Sequence, residues 1–387
     1  MKIPFIYNVR SVLHRPATSI ATALGVAFVV LTFVGMLALA SGFRAALIST
    51  GRSENIHVLR KGADAEISSG ISREQAAILR TLPEIARMPD GRPAASADVY
   101  VVVSKPRVNG TETHMPVRGV TPESFWVRDE VRVTDGRMFQ SGRPEVIVGK
   151  GLVGRMRNTN IGDKLRFGQQ DFNVVGHFTA NGGAYQSEVW GDAETMMSVF
   201  RGPVFQSITA RLANPQSFDA VKTRMESDPR LQLQVKREDV FFAEQSDFLG
   251  NVLKFMAFFV TIIMAIGAVF GAINTMDAMI AARGREIALL QTLGFRGRSV
   301  LVSFLIEAML IALVGGILGC LLALPINGIQ TSTTNWQSFG ELTFAFRVTP
   351  AILMQGILFA IMMGLVGGFL PARRAAKQVV ALGLRRD

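Results

Sequence analysis

The chain has 387 residues, of which 49% are apolar and only 18% charged, and its net charge is +11. A mean hydropathy of +0.30 is too high for a soluble protein of this size. Twelve Lys and Arg against three acidic residues sit in three short segments beside apolar runs, while 44–253 carries 27 basic and 25 acidic residues; this excess belongs to a membrane and argues against nucleic acid as a partner.

Residues 1–15 mix Ile3, Phe5, Ile6, Val9, Val12 and Leu13 with basic side chains and read as an amphipathic helix on the cytoplasmic surface. The 28 charge-free residues 16–43 form a first span, since at ~1.5 Å per residue they can cross a hydrocarbon layer of roughly 30 Å. Ala38-Leu39-Ala40 resembles a signal-peptidase site, but the apolar run before it is longer than a signal needs, which favours an uncleaved helix.

Residues 44–250 alternate strand-like and helix-like pieces. Asn55 to Leu59, Val99 to Val103, Glu145 to Gly149, Lys164 to Phe167, Phe172 to Val175, Ser207 to Leu212 and Leu231 to Val235 are β-rich runs. Gly162-Asp163 and Gly168-Gln169 supply turns. Ser72 to Leu82 has helical spacing, with Ser72 as N-cap and Gln75 completing a capping box, and Ser217 to Met225 is a second helix. The mixture predicts an α+β domain, with two lobes joined near 120–144. One cysteine, Cys320, lies far outside it, so the domain holds together without a disulfide.

Asp239 to Leu253 has no proline and leads straight into a second span, 251–276, so one helix is expected to pass from the domain into the membrane. A loop at 277–298, a third span at 299–325, an outer loop at 326–347, a fourth span at 348–371 and a tail at 372–387 complete the order. The basic clusters place both termini and 277–298 in the cytoplasm and 44–250 outside. The predicted fold class is a membrane protein of four transmembrane helices with a large extracytoplasmic α+β domain inserted between the first and second.

Enzymatic chemistry finds little support. There is no Gly-x-x-x-x-Gly-Lys-Ser/Thr loop to cradle phosphates, and no Gly-x-Ser-x-Gly elbow. His14, His57, His114 and His177 lack metal-ligand spacing, and Asn109-Gly110-Thr111 reads more simply as a turn than as a glycan acceptor. No catalytic residue, metal site or bound cofactor is predicted. The informative residues lie at the cytoplasmic ends of the spans. In Arg283 to Arg298, the apolar Ile287, Leu290 and Leu293 recur at helical spacing and Gly294 is placed as a stop. This is a short amphipathic helix against the membrane or an ordinary basic loop, and spacing leaves both open. Glu307, shortly past Arg298, is either an interfacial acid paired with a basic neighbour or an intramembrane acid with a transport role. Gly315 and Gly319 permit close helix packing, within the four-helix unit or across a dimer.

The run Arg283-Gly-Arg-Glu-Ile-Ala-Leu-Leu-Gln-Thr-Leu-Gly294 resembles a segment of the FtsX/MacB/LolC-type permeases of ABC transporters. Asn274-Thr275-Met276 before it, Glu307-Ala308 with Gly315-Gly316 and Gly319, and Pro371-Ala372 with Ala375-Ala376 are similar to motifs of the same family. So are Asn8-Val9-Arg10, the stretch from Thr22 to Ala27, and, in the outer domain, Glu145 to Gly149, Gly162-Asp163 and Val174-Val175-Gly176, which resemble the MacB-type periplasmic core. The tail departs from the family in lacking a proline before its last Ala-Leu. Only fifteen residues precede the first span, where MacB carries a fused nucleotide-binding domain, and the expected ATPase is therefore a separate polypeptide.

The resemblance implies a permease subunit, not an enzyme, of an ABC transporter in a bacterial inner membrane. Arg283 to Gly294 would be its coupling helix, with Arg283, Arg285 and Glu286 giving polar contacts to the ATPase and Leu289 and Leu290 apolar ones. ATP and Mg would be bound by that partner. A second permease copy or a paralogue, a periplasmic adaptor and membrane lipid are the other implied partners. The expected mechanism is mechanotransmission: nucleotide-driven movement inside is relayed through stiff helices to the outer domain, driving export or extraction of a substrate. An FtsX-like signalling device that activates a periplasmic partner without transport is the alternative.

Overall fold

Thr349 accepts a hydrogen bond from the Ile352 backbone N–H at 3.3 Å and Pro350 follows it, so the last long helix starts with an N-cap and a proline whose fixed φ suits a first turn. Among the described residues it is one of four helices long and apolar enough to cross a membrane: Pro16–Ile48, Glu238–Ala282, Gly297–Ala323 and Pro350–Ala376, hereafter the first to fourth spans. The structure is a computed structural model that describes residues 16–200 and 202–377. The amphipathic helix expected over 1–15 and the tail beyond 377 lie outside the described residues.

The chain divides into two units. The membrane unit comprises the residues up to Ser41, Asn251–Ile329 and those from Phe346 onward. Its core joins Val26, Val30, Phe33 and Val34 of the first span to Ala312 and Cys320 of the third and to Ile352, Ala360 and Met363 of the fourth. The second span is the least enclosed: 11% of its most apolar stretch is buried, against 56% for the first. That helix has 45 residues, a length of about 68 Å, and its continuity from Glu238 onward matches the absence of proline in the sequence. Glu238 and Asp239 in its first turn oppose the positive end of the helix dipole.

The outer unit comprises Gly42–Gly250 and Gln330–Ala345. Its strands are β1 (Asn55–Arg60), β2 (Ala95–Pro106), β3 (Glu112–Val120), β4 (Arg132–Gly136), β5 (Glu145–Gly149), β6 (Lys164–Phe167), β7 (Gln170–Thr179), β8 (Val189–Asp192), β9 (Ser207–Arg211) and β10 (Leu233–Arg237). They run in the order β10-β1-β9-β2-β3-β8-β5-β7-β4, with β6 paired to β7. Four helices, α1 (Arg73–Arg80), α2 (Ser124–Val127), α3 (Ala193–Phe200) and α4 (Phe218–Ser227), accompany the sheet. The predicted capping box is formed: Gln75 N–H donates to Ser72 Oγ at 3.2 Å and Ser72 N–H to Gln75 Oε1 at 2.7 Å.

The expected junction of two lobes near 120–144 is corrected. The changeover lies within β2, whose residues 95–98 pair with β9 and whose residues 99–106 pair with β3. One apolar core with Ile56, Ala97, Val117, Val146, Val174, Ile208 and Val235 runs beneath both halves. Glycines sit where backbones crowd: a Cβ on Gly149 would stand 2.2 Å from the Gln186 carbonyl oxygen, and one on Gly176 2.4 Å from that of Arg137. Residues 330–345, read from sequence as plain loop, form a hairpin of β11 (Gln330–Thr334) and β12 (Glu341–Ala345), in which Gln330 pairs with Ala345 and Thr334 with Glu341. Glu341 ties it to the sheet through Arg107 at 2.9 Å and Thr113 at 2.6 Å.

Candidate functional site

The segment after the second span folds as α5 (Gly284–Thr292), a helix of nine residues. Gly294 ends it with φ +88°, a conformation only glycine adopts cheaply. Ile287 and Ala288 are buried, and Ile287 packs with Met276, Met279, Ile280, Val300 and Phe304. Arg285 and Glu286 are exposed and Leu289 is 59% exposed. Leu290 belongs to the same helix, but its side chain lies outside the described ones. The helix therefore buries one face and presents polar groups with a leucine on another.

Arg283, grouped by sequence with the docking residues, points the other way. It is 9% exposed and its guanidinium donates to Glu307 at 3.1 Å and to Glu286 at 3.0 Å, with the Phe304 ring 5.7 Å away. Glu307 is 1% exposed. Glu307 is thus paired with a basic side chain. Arg298 stands nine positions earlier on the same helix, which puts it on the opposite face, and the partner is instead Arg283 from the preceding turn.

Gly315 and Gly319 face the first span of the same chain. A Cβ on Gly315 would lie 2.5 Å from the Ala23 carbonyl oxygen, and one on Gly319 2.6 Å from that of Ala27. Gly316 meets Ala360 of the fourth span, and Gly364 and Gly368 meet Ala312 and Ala308 in return. The pair serves packing within the four-helix unit, one of the two options open from sequence.

A second constellation, not singled out in the sequence, fills the core of the outer unit. Arg118 donates to both oxygens of Glu66 at 2.7 and 2.8 Å and to both of Glu188 at 2.7 and 2.9 Å. Arg128 donates to Asp98 at 2.5 Å, to Thr209 at 2.8 Å and to Tyr185 at 3.0 Å. All of these side chains are buried. Burial would raise the Glu66 carboxyl, but the charge and hydrogen bonds of Arg118 outweigh it and hold that group at about 2. Burial raises Glu188 despite the same arginine, and lowers His57, 3.8 Å from Glu66, to about 4. The only trace of this network in the sequence is a charge inside each of two apolar strands, Asp98 and Arg118. Among the described residues no cluster of His, Cys, Asp or Glu could hold a metal ion.

Four spans in a one-then-three order, an α+β domain inserted after the first and an amphipathic helix between the second and third define a polytopic permease. The MacB-like periplasmic core domain matches residues 19–228 and the FtsX-like permease C-terminal domain matches 258–380. The chain belongs to the FtsX/MacB-type ABC permease family. A macrolide export ATP-binding/permease protein MacB of Bordetella avium is 26% identical over 97% of this chain and 58% of its own length. MacB of Escherichia coli strain K12 is 28% identical over 70% of this chain and 43% of its own. The chain thus spans about half the length of these curated relatives. Among solved structures, the extracellular domain of the noncanonic ABC-type transporter YknZ from Gram-positive bacteria covers 47% of this chain and 99% of its own at 15% identity and a TM-score of 0.37. The periplasmic region of MacB from Actinobacillus actinomycetemcomitans covers 50% and 92% at 12% identity and a TM-score of 0.38.

Proposed function

We propose that this chain is the permease subunit of an ABC export or extraction machine that works by mechanotransmission in a bacterial inner membrane. ATP and Mg are bound by an ABC ATPase subunit, and two permeases, identical or paralogous, sit on its dimer. ATP-driven closure displaces α5, and the long helices relay that displacement to the outer unit, which handles substrate on the periplasmic side, with an adaptor as a further partner. The observation that carries this reading is the two-faced α5, which buries Ile287 and Ala288 while leaving Arg285, Glu286 and Leu289 exposed. A buried face anchors the helix, and the exposed leucine with flanking charges suits a groove on a soluble partner.

The test is co-expression of the full chain with an ABC ATPase subunit from the same organism and co-purification of the two. Glu286→Lys and Leu289→Asp are expected to abolish association while leaving the permease in the membrane. Association retained by both variants overturns the docking role of α5.

A further inference from the structure

Arg283 occupies the one non-helical position between the second span, which ends at Ala282, and α5, which begins at Gly284. Its backbone has left helical geometry at φ −112° and ψ 13°. Gly284 beside it has no heavy atom within 4 Å of where a Cβ would stand, so it adds no bracing of its own. The Arg283 side chain, by contrast, reaches Glu286 in the first turn of α5 and Glu307 in the third span. One guanidinium thus bridges the elbow, the short helix and the bundle.

Glu307 stands on a well-locked block. The third span bearing it meets the backbone of the first through Gly315 and Gly319 and the Ala360 methyl of the fourth through Gly316. The second span, which leads into the elbow, is far less enclosed. Its own ionic tie, Asp277 to Arg374 at 2.6 Å, is exposed and open to screening by solvent and salt.

We propose that the Arg283–Glu307 pair is the positioning link that carries a displacement of α5 into the third span, and with it the first and fourth, instead of into the second span alone. The proposal rests on the reading of α5 as the ATPase-docking helix. A charge-assisted bond between groups this buried is stiff, because separating them strands two charges in a medium that cannot solvate them. The contact is either made or broken, and a made contact transmits a push that looser apolar packing would absorb.

The test uses the full chain with its ATPase in proteoliposomes, with Cys320→Ser and Arg44→Cys introduced so that a thiol reagent reports on the outer end of the first span. Glu307→Gln is expected to keep the ATPase bound and hydrolysing, while the nucleotide-dependent change in labelling falls about tenfold. Glu307→Asp keeps the charge and should keep most of the change. Arg283→Gln should lose the change as deeply as Glu307→Gln, and the double substitution no more than either alone, a non-additivity that a merely space-filling role for Glu307 would not give. An undiminished change in Glu307→Gln, a loss of ATPase binding in that variant, or a loss in Glu307→Asp as deep as in Glu307→Gln each overturns the link. The docking reading fails by a separate result, the retention of ATPase by Glu286→Lys and Leu289→Asp.

Discussion

Arg118 and Glu66 face each other as a closed fork, with two parallel hydrogen bonds of 2.7 and 2.8 Å between side chains that are 2% and 6% exposed. The geometry is the bidentate one that only an arginine offers a carboxylate. The other side of the same guanidinium grips Glu188, which also accepts from Trp190 Nε1 at 2.7 Å. Replacing Arg118 by Leu leaves two carboxylates buried without their cation. A loss of about 3–5 kcal/mol is expected, read as a fall in the unfolding midpoint of the detergent-purified chain by intrinsic tryptophan fluorescence. Arg73→Ala, which removes an exposed pair with Glu194, should leave that midpoint unchanged.

His57 predicts the acid limb of the stability curve. Burial lowers its folded pKa to about 4 from 6.5; Arg128 and Arg118 act in the same sense, while Glu66 and Asp98 oppose them. The unfolded chain therefore binds the extra proton more readily, and the contribution of His57, complete above pH 6.5, is lost as pH falls toward 4. Glu66 adds a second step: with a folded pKa of about 2 against 4.5 unfolded, its contribution is complete above pH 4.5 and is lost as pH falls toward 2. Glu188, raised by burial, works in the opposite sense, favouring the fold below its unfolded pKa and losing that contribution as pH rises through the folded one. His57→Gln should flatten the curve between pH 6.5 and 4, and Glu66→Gln the part below 4.5. A thermal-shift series across pH 3–8 in ~0.5-unit steps checks both.

How much of this was legible from the sequence depends on how far apart the interacting residues lie. The spans follow from runs without charge, and the unbroken passage from Glu238 to Ala282 follows from the absence of proline, both local properties. The capping box at Ser72 and Gln75 is equally local. The strands β3, β4 and β8 and the hairpin at 330–345 do not stand out in the sequence. Their residues alternate weakly, and they form through pairing with distant partners, as Val189 does with Val117. Arg118 lies 52 residues from Glu66 and 70 from Glu188, so no spacing rule joins them. The sequence shows the charge of Arg283 but not the direction of a side chain at a helix break, so its pairing with Glu307 is not legible there.

Topology gives an independent check. By the orientation rule, the basic residues around 283–298 predict a cytoplasmic position for that loop. With Cys320→Ser removing the single native thiol, Arg296→Cys should react with an impermeant maleimide in inside-out vesicles and stay unreactive in right-side-out ones. Arg132→Cys, exposed on β4 of the outer unit, should show the reverse. Reaction of both on the same side would contradict the placement of the domain outside.

The glycine seam between the first and third spans yields the sharpest stability contrast. At Gly319 a methyl group would stand 2.6 Å from the Ala27 carbonyl oxygen and 2.9 Å from Val30 Cβ, so the two backbones must move apart to admit it. Helix association in lipid depends on such close packing, since the apolar surroundings offer no hydrophobic drive. Overpacking of this kind costs about 1–3 kcal/mol, so Gly319→Ala should lower the melting temperature in detergent, and Gly315→Ala, facing Ala23 and Val26, should do the same. Gly35, on the first span, has no heavy atom within 4 Å of its missing Cβ. Gly35→Ala is expected to be neutral or slightly stabilising, because the helix gains propensity without a clash. Equal destabilisation by all three substitutions would mean that the seam is not where the first and third spans are held together.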